Sequence, residues 1–83
     1  MPTLAIVDGV RIVFYWNAHP PPHFHAEFSG HKGQFSIATS QLIEGSLPPA
    51  KVNANSRWAA SRRLELMECW DKARQNVAPG KVE

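Results

Sequence analysis

Apolar and polar positions alternate with a period of two through the first half of this chain and shift to a helical period in the second. Leu4-Ala5-Ile6-Val7 and Val10-Arg11-Ile12-Val13-Phe14-Tyr15-Trp16 are β-branched and aromatic runs joined by Asp8-Gly9, a pair that accepts the positive φ angles of a two-residue hairpin turn. They predict an antiparallel hairpin. In the second run Val10, Ile12, Phe14 and Trp16 share one face and Arg11, Val13 and Tyr15 the other, so the first set is the better core face. A third strand is expected over His23–Phe28, with Phe24, Ala26 and Phe28 on one side and His23, His25 and Glu27 in a polar row on the other. Ser29-Gly30-His31-Lys32-Gly33 reads as a turn, after which residues 34–38 return as a fourth strand with Phe35 and Ile37 pointing the same way.

Residues 44–49 read as a connector in which Ser46 is placed to cap a helix and the two prolines suit its first positions. The helix is expected to begin near Pro49, to weaken at Asn53-Ala54-Asn55, and to run to Asn76 before Pro79-Gly80 stops it, as one segment or two. At 100° per residue Val52, Ala59, Leu66, Trp70, Ala73 and Val77 fall on one stripe, with Met67 at its edge, and this stripe should cover the apolar side of the sheet. Arg63 projects the same way, where a bare guanidinium is costly. It should therefore reach a carboxylate, Glu27 or Glu44, or a row of carbonyls at the sheet margin. Leu64 and Trp58 fall outside the stripe, leaving aromatic surface for another contact. The expected architecture is a single α+β domain over residues 1–83: a small, mainly antiparallel β-meander packed against a carboxyl-terminal helix, continuous or broken in two. Strands dominate residues 1–40, helix residues 48–78, and 79–83 form a tail. Ile12, Phe14, Leu66 and Trp70 should lie in the core.

Composition narrows the setting. Eighty-three residues suffice for one core but bury a modest share of their surface, so a partner chain would add stability. The single Cys69 precludes an internal disulfide and fits a reducing compartment as a buried, structural residue. No basic segment followed by an apolar run opens the chain and no apolar run reaches membrane-spanning length, which points to the cytoplasm. The net charge of +2, with seven acids interspersed among nine Lys and Arg, is weak support for a polyanionic partner.

Candidate chemistry gathers in residues 14–27, which hold three of the four histidines and three of the seven prolines. Pro20, Pro21 and Pro22 form a stiff spacer between His19 and His23. Three readings stand. In the first, His19, His23 and His25 are nitrogen ligands for a divalent metal such as zinc, with Glu27 as a fourth donor and bound water as a nucleophile. The plainer account of the same rings has them capping turns and pairing with carbonyls at the sheet edge. In the second, the histidines act as general acid and base in cleaving nucleic acid, with Arg11, Arg62 or Arg63 meeting phosphate charge and Tyr15, Trp16, Phe24 or Trp58 stacking on bases. No nucleophilic serine or cysteine is placed beside a histidine by a recognisable motif. In the third, the domain is an interaction module whose open sheet edges accept a protein partner or a second copy, His19, His23, His25, Glu27 and Arg63 forming the candidate surface.

Pro2-Thr3 followed by the run from Val10 through Ala26, with its His19-Pro20-Pro21-Pro22-His23-Phe24-His25 segment, resembles the bacterial domain-of-unknown-function 4160 family, whose members open with Met-Pro and carry an aromatic strand leading into a similar His-Pro segment. Leu66 to Trp70, ending Glu68-Cys69-Trp70, is similar to the family's leucine and tryptophan helix near the carboxyl end. The resemblance is strong over residues 1–30 and looser beyond, where the Asn53-Ala54-Asn55 stretch is less regular than the family's helix. It implies recurring polar residues at His19, His23 and His25 and a recurring aromatic at Trp70. The family has no established activity. Its members are small prokaryotic proteins, often encoded beside another small protein and sometimes proposed as half of a toxin–antitoxin-like pair, so the resemblance implies a protein partner more than a solitary enzyme.

Overall fold

The computed structural model describes residues 3–15 and 19–75. The expectations for Trp16, for Val77, for the helix end beyond Gln75 and for the 79–83 tail lie outside the described residues. Five strands come first: β1 (Thr3–Val7), β2 (Val10–Val13), β3 (His23–Phe28), β4 (His31–Ser36) and β5 (Leu42–Gly45). Two helices follow, α1 (Pro49–Ser61) and α2 (Arg63–Arg74). Each strand pairs antiparallel with its neighbour in sequence, giving the order β1-β2-β3-β4-β5. The fold is the expected α+β meander with a helical cover.

Two tight turns set the registers. Asp8 and Gly9 take φ of 51° and 79°, and Ser29 and Gly30 take 46° and 84°. Paired positive φ values give a two-residue turn the right-handed twist of the strands it joins. The second turn is therefore shorter than the five residues expected, and β4 begins at His31 because His31 and Lys32 are tolerated as exposed strand residues.

β5 corrects the reading of residues 44–49 as a connector. Leu42 pairs with Phe35 and Glu44 with Gln34, so Ile43 is an extra residue bulged out of the ladder. Gly45, at φ 80°, lies so close to β4 that a Cβ there would collide with the Lys32 carbonyl oxygen. The Ser46 N–H then donates to that carbonyl at 3.0 Å, extending the sheet instead of capping the helix. Pro48 occupies the N-cap with no side-chain cap, and Pro49 opens α1 as expected. The Pro20–Pro21 bond is cis.

The helices cover one face of the sheet. Ile12 and Ala26 are cross-strand partners on that face, as are Phe24 and Phe35, and all four are fully buried. The Phe24 and Phe35 rings stack at 5.2 Å and Trp58 meets Phe24 edge-on at 6.0 Å. Full burial of such a side chain contributes about 1.5–3 kcal/mol. Leu66, Trp70, Ala73 and Ala59 close the core from above, with Val52 and Met67 packed partly against it. Cys69 is buried as expected, and burial pushes its thiol pKa up.

The helical break falls at Arg62, with φ −124° and ψ 22°, and not at Asn53-Ala54-Asn55. Asn55 lies within an unbroken α1. It is fully buried, and its Nδ2 donates to the Lys51 carbonyl one turn back at 2.8 Å. The expected stripe nonetheless holds on both sides of the break, with Ala59 on α1 and Leu66, Trp70 and Ala73 on α2 all buried. Trp58, expected outside the stripe and available for another contact, instead packs on the core against Phe24, while Leu64 is 81% exposed as its place off the stripe implies.

Candidate functional site

The face of the sheet turned away from the helices carries the polar row foreseen on β3 and extends it across three strands. Arg11 on β2 lies opposite Glu27 on β3, which lies opposite Lys32 on β4. The next rung on the same face runs Val13, His25, Gln34 and Glu44. Alternating charge on the first rung suits directly opposed side chains.

Hydrogen bonds fix this face before any ligand arrives. The Tyr15 hydroxyl donates to Glu27 Oε2 at 2.7 Å, and an Arg11 guanidinium N–H donates to Glu27 Oε1 at 3.2 Å. Both carboxylate oxygens are thereby engaged. The Tyr15 ring meets the His25 ring edge-on at 4.4 Å, and His25 lies 5.1 Å from His23. His23 packs on Trp70 at 5.2 Å and its Nδ1 donates to the Pro21 carbonyl at 2.8 Å, which sets its tautomer and ties the proline spacer to β3. A continuous series of contacts thus runs from Trp70 through His23, His25, Tyr15 and Glu27 to Arg11.

Titration follows from these contacts. The donated phenolic proton, reinforced by Arg11 and Lys32, outweighs partial burial and holds the Glu27 carboxyl below its ordinary value. The same bond, with burial and the carboxylate's charge, raises the Tyr15 phenol. Burial, with His23 alongside, lowers His25 against the opposing pull of Glu27 and Glu44. His25 thus takes up a proton less readily than a free imidazole. It opens, with Tyr15, Lys32, Gln34 and Glu44, on a groove of about 380 Å³ whose floor includes Gly33 and Gly45.

Of the candidate residues, His25 and Glu27 lie on this face, and His23, buried against Trp70 of α2, meets His25 from its margin. His19 is exposed on the proline segment, and among the described residues no group of three or more His, Cys, Asp or Glu side chains is arranged to hold a metal ion. The set His19, His23 and His25 is thus not assembled. Arg63 stands elsewhere: its Nε donates to the Ile37 carbonyl at 3.1 Å and a terminal nitrogen to Ser40 Oγ at 3.0 Å. It satisfies the turn after β4, taking the carbonyl expected at the sheet margin and the Ser40 hydroxyl as its partners. Lys32 and Gln34 were not foreseen in the site, because a rung is defined by register between strands.

These features define a class of small protein: a five-stranded meander with helices on one face and a preorganised polar surface on the other. The family model described as Domain of unknown function (DUF4160) matches residues 9–71, a span from the first hairpin turn into α2 that includes every residue of the polar face named above. The chain belongs to that family. Neither the curated proteins nor the solved structures returned a match. No helix among the described residues is long and apolar enough to cross a membrane.

Proposed function

We propose that this protein is an interaction module that holds a second small protein against the uncovered face of its sheet, as one component of a toxin–antitoxin-like pair in the bacterial cytoplasm. The observation that carries this reading is the prebuilt polar face. Glu27 is held by both Tyr15 and Arg11, and the groove beside it offers a cation, a carboxylate and an imidazole. Side chains already fixed in the free protein lose little entropy on binding. The groove accommodates one or two partner side chains, and the charged rung sets their orientation.

Isothermal titration against the small protein encoded beside it tests the proposal. The double variant Tyr15→Phe, His25→Gln should bind at least tenfold more weakly while keeping the native circular dichroism spectrum. A monomer that shows no heat with that protein, or a variant that binds it as tightly as wild type, would sink the reading.

One observation favours a second reading, a histidine-based hydrolase acting on nucleic acid. His25 opens with Lys32 on one groove, which puts an imidazole able to exchange a proton beside a cation suited to phosphate. Cleavage of single-stranded RNA by wild type and its loss in His25→Gln would favour this account. Equal cleavage by both would remove it.

A further inference from the structure

The two edges of the sheet are built differently. β5 is four residues long, bulged at Ile43, charged at Glu44 and ended by Gly45, all features that discourage another strand from pairing. β1, Thr3-Leu4-Ala5-Ile6-Val7, has neither charge nor proline, and its own register irregularity falls between Thr3 and Ala5, leaving the Ala5–Val7 stretch regular. Its Ile6 is 71% exposed, although Leu4 is buried and Ala5 and Val7 pack partly on the core.

Turn geometry shows which backbone groups of β1 point away from β2. Val7 and Val10 flank the two-residue Asp8-Gly9 turn and form the hydrogen-bonded pair that closes it. In an antiparallel ladder such pairs alternate with non-bonded ones, so Ile6, opposite Arg11, directs its N–H and C=O away from β2. Lys51 fastens this hairpin to α1 by donating to the Asp8 carbonyl at 2.8 Å and pairing with its carboxylate at 3.2 Å.

We infer that β1 is a self-association edge: two copies pair antiparallel about a two-fold axis through Ile6, joining their sheets into one of ten strands. That register places Ile6 against its own copy on the outer face as a reciprocally hydrogen-bonded pair. It places Ala5 against the copy's Val7 on the core side, so every side chain keeps its face. Only uncharged residues meet at the axis. The two Arg11 side chains stand three strand spacings apart, about 14 Å, beyond the screening length, and each is paired with Glu27. Pairing β1 with β5 of another copy would be head-to-tail and would not close, and β5 resists it. An edge of five residues buries less than a standard interface, so the dimer is weak and concentration-dependent.

Sedimentation equilibrium on the full chain, from about 1 μM to about 1 mM, tests this together with amide exchange at both ends of the range. The expected result is a shift to twice the mass of one chain, with the Ile6 amide at least tenfold more protected at the high end. Ile6→Lys should weaken the dimer at least tenfold with its thermal transition retained, and Ile43→Lys should leave it unchanged. A wild-type monomer throughout would overturn the inference, as would a dimer that survives Ile6→Lys or an Ile6 amide indifferent to concentration. Loss of the neighbouring protein's binding in Ile6→Lys, without a wild-type dimer, would assign the edge to that partner and also overturn it.

Discussion

Replacing Tyr15 by Phe deletes a single oxygen and reports on how Glu27 is held. The hydroxyl donates to Glu27 Oε2 at 2.7 Å, while Arg11 reaches Oε1 independently at 3.2 Å. A hydrogen bond to a charged group contributes about 1.5–3 kcal/mol when shielded. The Glu27 side chain keeps 23% of its surface in water, which takes over part of the lost bond and brings the cost to about 1 kcal/mol. Because the phenol holds the Glu27 carboxyl below its ordinary value of 4.5, the folded state binds that proton less readily than the unfolded chain. The contribution is complete above about pH 4.5 and is lost as pH falls through the folded-state value. Urea unfolding should therefore separate wild type from Tyr15→Phe by about 1 kcal/mol at pH 7 and by progressively less on acidification. The Glu27 carboxyl carbon, followed by NMR, should titrate at higher pH in the variant. A stability difference that does not shrink with acid, or an unmoved Glu27 titration, would refute the reasoning.

Three further outcomes are expected. His25 resists protonation in the folded state relative to its ordinary 6.5, so thermal stability should fall as pH drops below about 6.5 and level off once the folded form also titrates; melts from pH 7 to pH 5 should show a flatter limb in His25→Gln, and an unchanged limb would count against burial as the cause. Trp70→Ala removes the side chain that touches both Phe14 and His23 and should cost about 3–5 kcal/mol in urea unfolding, with a loss below about 1 kcal/mol contradicting the packing described. Gly30→Ala, with open space around it, should cost only the left-handed backbone penalty of about 1–2 kcal/mol, whereas Gly45→Ala also collides with the Lys32 carbonyl and should cost more and expose β4 amides to exchange; equal costs would show that β5 does not press on β4.

Local chemistry made β3 readable, because strict alternation from His23 to Phe28 is bounded by proline on one side and Ser-Gly on the other. It also gave the first hairpin and the burial of Ile12, Phe14, Leu66 and Trp70. β5 was hidden because a bulge at Ile43 breaks alternation within four residues and two prolines follow closely. The break at Arg62 has no glycine or proline to mark it, while Asn53-Ala54-Asn55, weak by propensity, is kept helical by tertiary contacts that bury Asn55. Within the site, the grouping of His25 and Glu27 follows from one strand's pleat. Their bonding to Tyr15 and Arg11, and the recruitment of Lys32, Gln34 and Glu44, depends on register between strands, which one strand's pattern does not encode.

Because the strands lie in the sheet in the order in which they are synthesised, every ladder can close between segments already adjacent in the chain. The cover cannot: Leu66 and Trp70 are made only after all five strands and α1 are complete. A nascent chain that has finished its sheet therefore holds Ile12, Phe24 and Phe35 under an incomplete roof, and a transcript truncated before α2 yields a sticky half-product instead of a smaller domain. The order of manufacture makes the last helix the step at which this protein passes from aggregation hazard to finished fold.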